Sequence, residues 1–210
     1  MSSGAGVEVG WPALRGLGIP VPDSMVALRA GELIADVAPG FLVNHSVRAY
    51  AWAVELAWHD ALEFDPEILY VSALLHDIGL VPAYDVGACF EIDGGVAAER
   101  FALQHGQPAE RAHAIYDVIA MHMLAEVPPG STNEVVLLND STGVDVTGYR
   151  VGDVRASAIP EIVAAYPRLE FKREFAALFV DQATRKPSCR VAEMVATGKL
   201  DAIAKAPFDS

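Results

Sequence analysis

The stretch Pro66-Glu67-Ile68-Leu69-Tyr70-Val71-Ser72-Ala73-Leu74-Leu75-His76-Asp77-Ile78-Gly79-Leu80 ends an apolar run on an adjacent histidine and aspartate. Pro66 suits the first turn of a helix, where its missing N–H leaves no bond unmade. Gly79 is a natural stop. The pattern therefore predicts a helix from Pro66 to about His76, buried over most of its surface. A buried polar group without a partner costs a few kcal/mol, and an unpaired charge costs far more. Something must hold the His76 and Asp77 side chains, and a metal ion accepts an imidazole and a carboxylate from neighbouring positions.

Upstream, Phe41 to His59 reads as a helix. Val43, Val47, Tyr50, Val54 and Trp58 form one apolar stripe at helical spacing, with His45 on another side near Phe41, Trp52 and Leu56. Apolar almost all round, this helix should be central. Pro22-Asp23-Ser24 offers an N-cap for a helix over Met25 to Ala38. Residues 1–23, rich in Gly and Pro, read as an irregular lead-in. Downstream, a loop runs from Leu80 to Asp93. Helices are expected over Gly94–His105, Ala109–Leu124, Ser131–Asp140 (short, before a Thr142-Gly143 turn), Arg155–Tyr166, Leu169–Ala183 and about Arg190–Ala204. Strand-like alternation is scarce. The fold class is all-α, a compact helical bundle, with residues 24–210 forming a single domain.

The 210 residues suit one such domain. With 52% hydrophobic and 20% charged residues, a sizeable core is available and global disorder is excluded. Fifteen basic against 28 acidic residues leave a net charge of −13, which argues against a general nucleic-acid binder but leaves room for a local cationic pocket. No apolar run reaches the roughly 18 residues a membrane span needs, and the start shows no signal-peptide pattern. Cys89 and Cys189 lie 100 residues apart without metal-finger spacing. Free thiols in a reducing cytosol, hence a cytoplasmic protein, are the expectation.

Six residues are candidate metal ligands: His45, His76, Asp77, His105, His122 and Asp145. Lone buried histidines are more often satisfied core residues than ligands. The adjacent His76-Asp77 pair resists that explanation. His59-Asp60 does not, because it sits at a helix end where the dipole favours a solvated histidine. His113 reads as surface. His105, next to Gly106, reads as a C-terminal cap.

The order His45, His76-Asp77, Asp145 resembles the HD-domain superfamily of metal-dependent hydrolases. Narrower elements resemble its cyanamide hydratase-like branch: Asn44-His45-Ser46-Val47-Arg48, the Asp65-Pro66-Glu67 lead into His76-Asp77, and Phe90-Glu91-Ile92-Asp93-Gly94-Gly95. Ala120-Met121-His122, Gly143-Val144-Asp145 and Tyr166-Pro167-Arg168 continue the likeness, which covers about residues 24–187. It implies an HD-domain bundle with the metal site between central helices. It also implies His45, His76, Asp77 and Asp145 as ligands of one divalent transition metal, Zn, Fe or Mn. The implied reaction is attack of a metal-bound hydroxide on a small carbon–nitrogen substrate such as cyanamide. Asp93 or His122 would shuttle a proton and Glu91 would orient it. Asp93, before two glycines, is also a good helix N-cap. Arg48, one turn from His45, either binds a substrate anion or ties down Asp77 or Glu55. Phe90 is a candidate pocket wall. The alternative is an HD phosphohydrolase acting on a nucleotide or other phosphate ester, which would need several cations near the metal; a non-enzymatic HD protein is a third reading, disfavoured by the intact ligand set. The expected partner is a small-molecule substrate, with no nucleic acid and no membrane; self-association is left open.

Overall fold

The computed structural model describes residues 11–209. Its helices are α1 (Pro12–Gly16), α2 (Met25–Val37), α3 (Gly40–Asp60), α4 (Pro66–Leu75), α5 (Phe90–Gln104), α6 (Ala109–Met121), α7 (Asn133–Thr147), α8 (Ala158–Ala165), α9 (Phe171–Arg185), α10 (Arg190–Ala196) and α11 (Asp201–Ala204). Tight 3-10 turns occupy Ile78–Leu80 and Val151–Asp153. No strand occurs among the described residues.

The centre is α3. Every residue from His45 to Ala57 is buried, as an all-round apolar helix requires. It packs against α4, α7 and α9, while α4 also meets α2 and α6, and α5 lies along α6. Local chemistry sets these elements. The Ser24 hydroxyl accepts from the Ala27 N–H at the head of α2, and the Asp65 carboxylate accepts from Glu67 and Ile68 at the head of α4. Two apolar clusters result. The larger runs from Trp11 through α2, α3, α4, α6 and α7; the smaller gathers Leu42, Phe90, Phe171, Phe175, Phe179 and Val191 under α9 and α10.

Several boundaries differ from expectation, each for a packing reason. The helix after the HD motif begins at Phe90, four residues early, so Glu91 and Asp93 lie in its first turn. Gly79 lets that turn come close: a Cβ there would clash with the Phe90 carbonyl oxygen. The short helix and turn expected around Ser131–Gly143 are one continuous α7 to Thr147. Gly143 is retained within it because Tyr149 presses against that face, 3.1 Å from where a Cβ would stand. The C-terminal helix is split, α10 from α11, at Gly198 with φ +73. In the lead-in, α1 carries Leu14 into the larger cluster with Trp11 and Ile19; residues 1–10 lie outside the described residues.

The sulfurs of Cys89 and Cys189 are bonded, correcting the expectation of free thiols. The bond joins the N-cap of α5 to the N-cap of α10. Such bonds are rare in a reducing cytosol, so the inference that led to a cytoplasmic location loses its premise. Among the described residues, no helix is long and apolar enough to cross a membrane.

Candidate metal centre

His45 comes from the second turn of α3, His76 caps the C-terminus of α4, and Asp77 opens the turn that follows. His122 caps α6. All four are buried. The hydrogen bonds of the three rings settle their tautomers. His76 Nδ1 faces the Ala73 carbonyl at 2.8 Å and His122 Nδ1 the Ile119 carbonyl at 2.6 Å. Carbonyls only accept, so both Nδ1 atoms carry the proton. His45 Nδ1 donates likewise to Asp145 Oδ2 at 2.7 Å.

The free Nε2 atoms then converge. His45 Nε2 and His76 Nε2 are 3.1 Å apart, and Asp77 Oδ2 lies 3.4 and 3.2 Å from them. His122 Nε2 is 3.7 Å from Asp77 Oδ1. In the neutral rings these are lone pairs facing one another and a carboxylate oxygen that has no hydrogen-bond partner among the described residues. Such an arrangement calls for a cation. Ligand atoms about 2.0–2.2 Å from a tetrahedral metal stand roughly 3.3–3.6 Å from one another, close to the spacing found. His45, His76 and Asp77 therefore form a donor set that could hold a metal.

The electrostatics agree. Burial alone would push the His45 pKa down, but the carboxylates of Asp145 and Asp77 outweigh it and raise it. The pocket thus favours positive charge at that position. Burial opposes ionisation of Asp77, yet His76 and His45 hold it well below the usual carboxylate range. Burial, with His76 beside it, lowers the His122 pKa to about 3. His122 is neutral near pH 7, with its proton tied to Ile119. It offers the site a lone pair, which does not suit the proton shuttle expected of it.

Asp145 does not join the cluster. Its Oδ1 accepts from Arg48 Nε (2.8 Å), Trp52 Nε1 (2.9 Å) and Arg168 Nη1 (3.3 Å), and its Oδ2 from Arg48 Nη2 and His45 Nδ1 (both 2.7 Å). Both oxygens are committed, so the carboxylate orients His45 as an outer support rather than acting as the fourth ligand the sequence suggested. Arg48 is corrected with it. This guanidinium is fully buried, with Nη1 donating to the Tyr166 carbonyl at 3.0 Å, so none of it is left for a substrate. Trp52 and Arg168 were not singled out for this role, since a residue that acts through Asp145 carries no motif of its own.

Asp93 is likewise diverted. It accepts from the N–H groups of Val86, Gly87 and Ala88 at 3.1–3.3 Å and from Lys186 Nζ at 3.3 Å, holding the loop before α5. A carboxylate so occupied is a poor proton shuttle. Glu91 differs: it is buried, its Oε2 has no partner, and burial raises its pKa while Arg190 and Lys186 oppose the rise. Phe90 sits edge-on to His122, ring centres 5.6 Å apart, and against Phe179; it backs the site. His105 donates to the Phe101 carbonyl and lines a separate groove beside α2. His59 and His113 are exposed and paired with Asp60 and Glu99.

A cavity of about 730 Å³ opens in front of the cluster. His45, His76, Asp77 and His122 form one part of its wall. Phe175 and Phe179 of α9 and Arg190 and Met194 of α10 form another. These four were missed in the sequence, where α9 and α10 read only as helices without a motif.

The family model for the HD domain matches residues 42–142, from the start of α3 into α7. Two curated proteins of Saccharomyces cerevisiae, the cyanamide hydratases DDI2 and DDI3, are each 26% identical over 174 residues, covering 80% of this chain and 77% of theirs. The convergent His45, His76 and Asp77 lie within the segment that matches the HD domain, and with the similarity to the cyanamide hydratases this indicates a metal-dependent hydrolase or hydro-lyase.

Proposed function

We propose that this chain is a hydratase that adds water to the carbon of a small nitrile-like substrate, cyanamide being the compound named for both yeast relatives. The observation that carries the reading is the cation-seeking cluster, two facing imidazole lone pairs and an unpartnered Asp77 oxygen, in a chain similar to those proteins over four fifths of its length. His45, His76 and Asp77 would hold the metal, with His122 as the fourth donor. When bound, a metal there supplies Lewis acidity that brings the pKa of water from 15.7 towards about 7.

The remaining tasks fall to the protein. Asp145, clamped by Arg48 and Arg168, holds the His45 proton on Nδ1 and keeps Nε2 turned to the site. In the hydration, the oxygen of water bonds to carbon, one C–N π bond breaks, and a proton must reach nitrogen. Glu91, buried with an unpartnered Oε2 among the described residues and with its pKa raised by burial, is the donor we assign. Phe175 and Phe179 exclude bulk water beside His45. The phosphohydrolase alternative loses support because Arg48, its clearest cation, is consumed by Asp145. The test is elemental analysis of purified protein followed by assays with cyanamide and with a nucleotide panel. One bound metal and production of urea are expected; phosphate release without urea would refute the reading.

A further inference from the structure

The cavity is far too large for cyanamide. A molecule of three non-hydrogen atoms fills about 90 Å³, taking about 30 Å³ for each water-sized unit, against about 730 Å³ here. Volumes of this order enclose organic ligands of drug size. The walls beyond the metal cluster are largely apolar, with Met123, Val146, Phe175, Phe179 and Met194 among them.

Two cations among these walls, Arg190 and Lys199, form no ion pair among the described residues, and of the two only Arg190 is withdrawn from solvent. Five arginines of the described residues are withdrawn from solvent: Arg48, Arg111, Arg150, Arg168 and Arg190. The first four are ion-paired, with Asp145, with Asp65 and Glu67, with Asp60, Asp140 and Asp153, and with Asp145. Arg190 forms no ion pair and no side-chain hydrogen bond among the described residues, although the chain carries a net charge of −13. The carboxylates around it do not fill the role. Asp140 is taken by Arg150, Glu126 and Glu193 are exposed, and Glu91, whose charged form Arg190 favours, forms no ion pair or hydrogen bond with it among the described residues. A half-buried guanidinium in an apolar cavity keeps its five donors for a planar anion.

We propose that Arg190 is the specificity residue for an anionic group on the substrate. The enzyme then acts on an organic nitrile that has an apolar body between its reacting carbon and a carboxylate or phosphate, and cyanamide is only the reacting fragment. The assignment of the reacting end rests on the hydratase reading; the assignment of Arg190 rests on the cavity.

The test uses the metal-loaded full chain. Binding of 4-cyanobenzoate and of its neutral counterpart 4-cyanobenzamide is measured by calorimetry, and hydration of both and of cyanamide is assayed alongside. The acid is expected to bind at least about tenfold more tightly, as a charge-assisted pair implies. Arg190→Gln should erase that preference and Arg190→Lys should keep part of it. The preference in the parent chain should also shrink as salt is raised, a measurement that needs no variant to fold. Comparing 4-cyanophenyl phosphate with the benzoate identifies the preferred anion. Equal binding of acid and amide by the parent chain, or equal weakening of both by Arg190→Gln, would overturn the assignment. Arg190-dependent binding of the acid with no nitrile hydrated would leave Arg190 in place and sink the hydratase reading. Cyanamide hydration without any preference for the acid would do the reverse.

Discussion

Two buried carboxylates, Asp145 and Asp77, lie on either side of His45 and meet opposite fates. Asp145 is filled by Arg48, Trp52, Arg168 and His45. Asp77 touches only imidazole nitrogens, and its Oδ2 is unpartnered. Both are fully withdrawn from water and both lie in a helical bundle. The difference is the supply of donors. A saturated carboxylate fixes geometry. An unsaturated one, beside lone pairs that also lack a proton, marks where a cation and the chemistry belong.

The largest effect should come from the unsaturated side. Asp77→Asn or His76→Ala should leave the helical circular dichroism spectrum intact, empty the protein of metal and lower turnover roughly a thousandfold or more; full metal occupancy in either variant would refute the ligand set. Glu91→Gln comes next, with a loss of about 10²–10⁴-fold in kcat. The sign of its pH dependence follows from the raised pKa. The donor is protonated below that pKa, so activity should fall as pH rises through it, and the variant should lack that limb. Stability has the same sense. The unfolded carboxyl ionises near pH 4.3, the folded one higher, so this contribution to stability is complete below about pH 4.3 and is lost as pH climbs through the folded value.

On the saturated side, Arg48→Ala should cost about 3–5 kcal/mol in urea unfolding, because it leaves Asp145 a poorly compensated buried charge. Asp145→Asn should weaken metal affinity about 10–100-fold without abolishing it; outright loss of metal would make Asp145 a ligand and dissolve the contrast. Cys189→Ser should remove about 2–4 kcal/mol of stability while the metal stays bound. The smallest effect is expected at His59, the exposed look-alike. His59→Ala should change stability by less than about 0.5 kcal/mol and leave turnover unaltered.

Much of this was legible in the chain. The apolar run into His76-Asp77, the all-round apolar α3 and the glycine and proline stops predict an all-α bundle, and they place His45, His76 and Asp77 in its middle. The errors share one cause. Gly94 read as the start of α5, with Asp93 before it a good N-cap, yet α5 begins four residues earlier at Phe90. Gly143 read as a turn, yet it serves close packing against Tyr149. Asp145, Arg48 and Asp93 carried plausible functional chemistry, and their partners decided otherwise.

Residue type, spacing and hydrophobic pattern are local properties, so the sequence by itself determined the helices, the central place of α3 and the pair at the end of α4. Which lone pair faces which carboxylate, which arginine is consumed and which is left in the cavity, and that Cys89 meets Cys189 are matters of position between elements far apart in the chain. Buried polar groups must find partners within the fold, and only the tertiary structure decided which ones found them and which were left for a metal and a substrate.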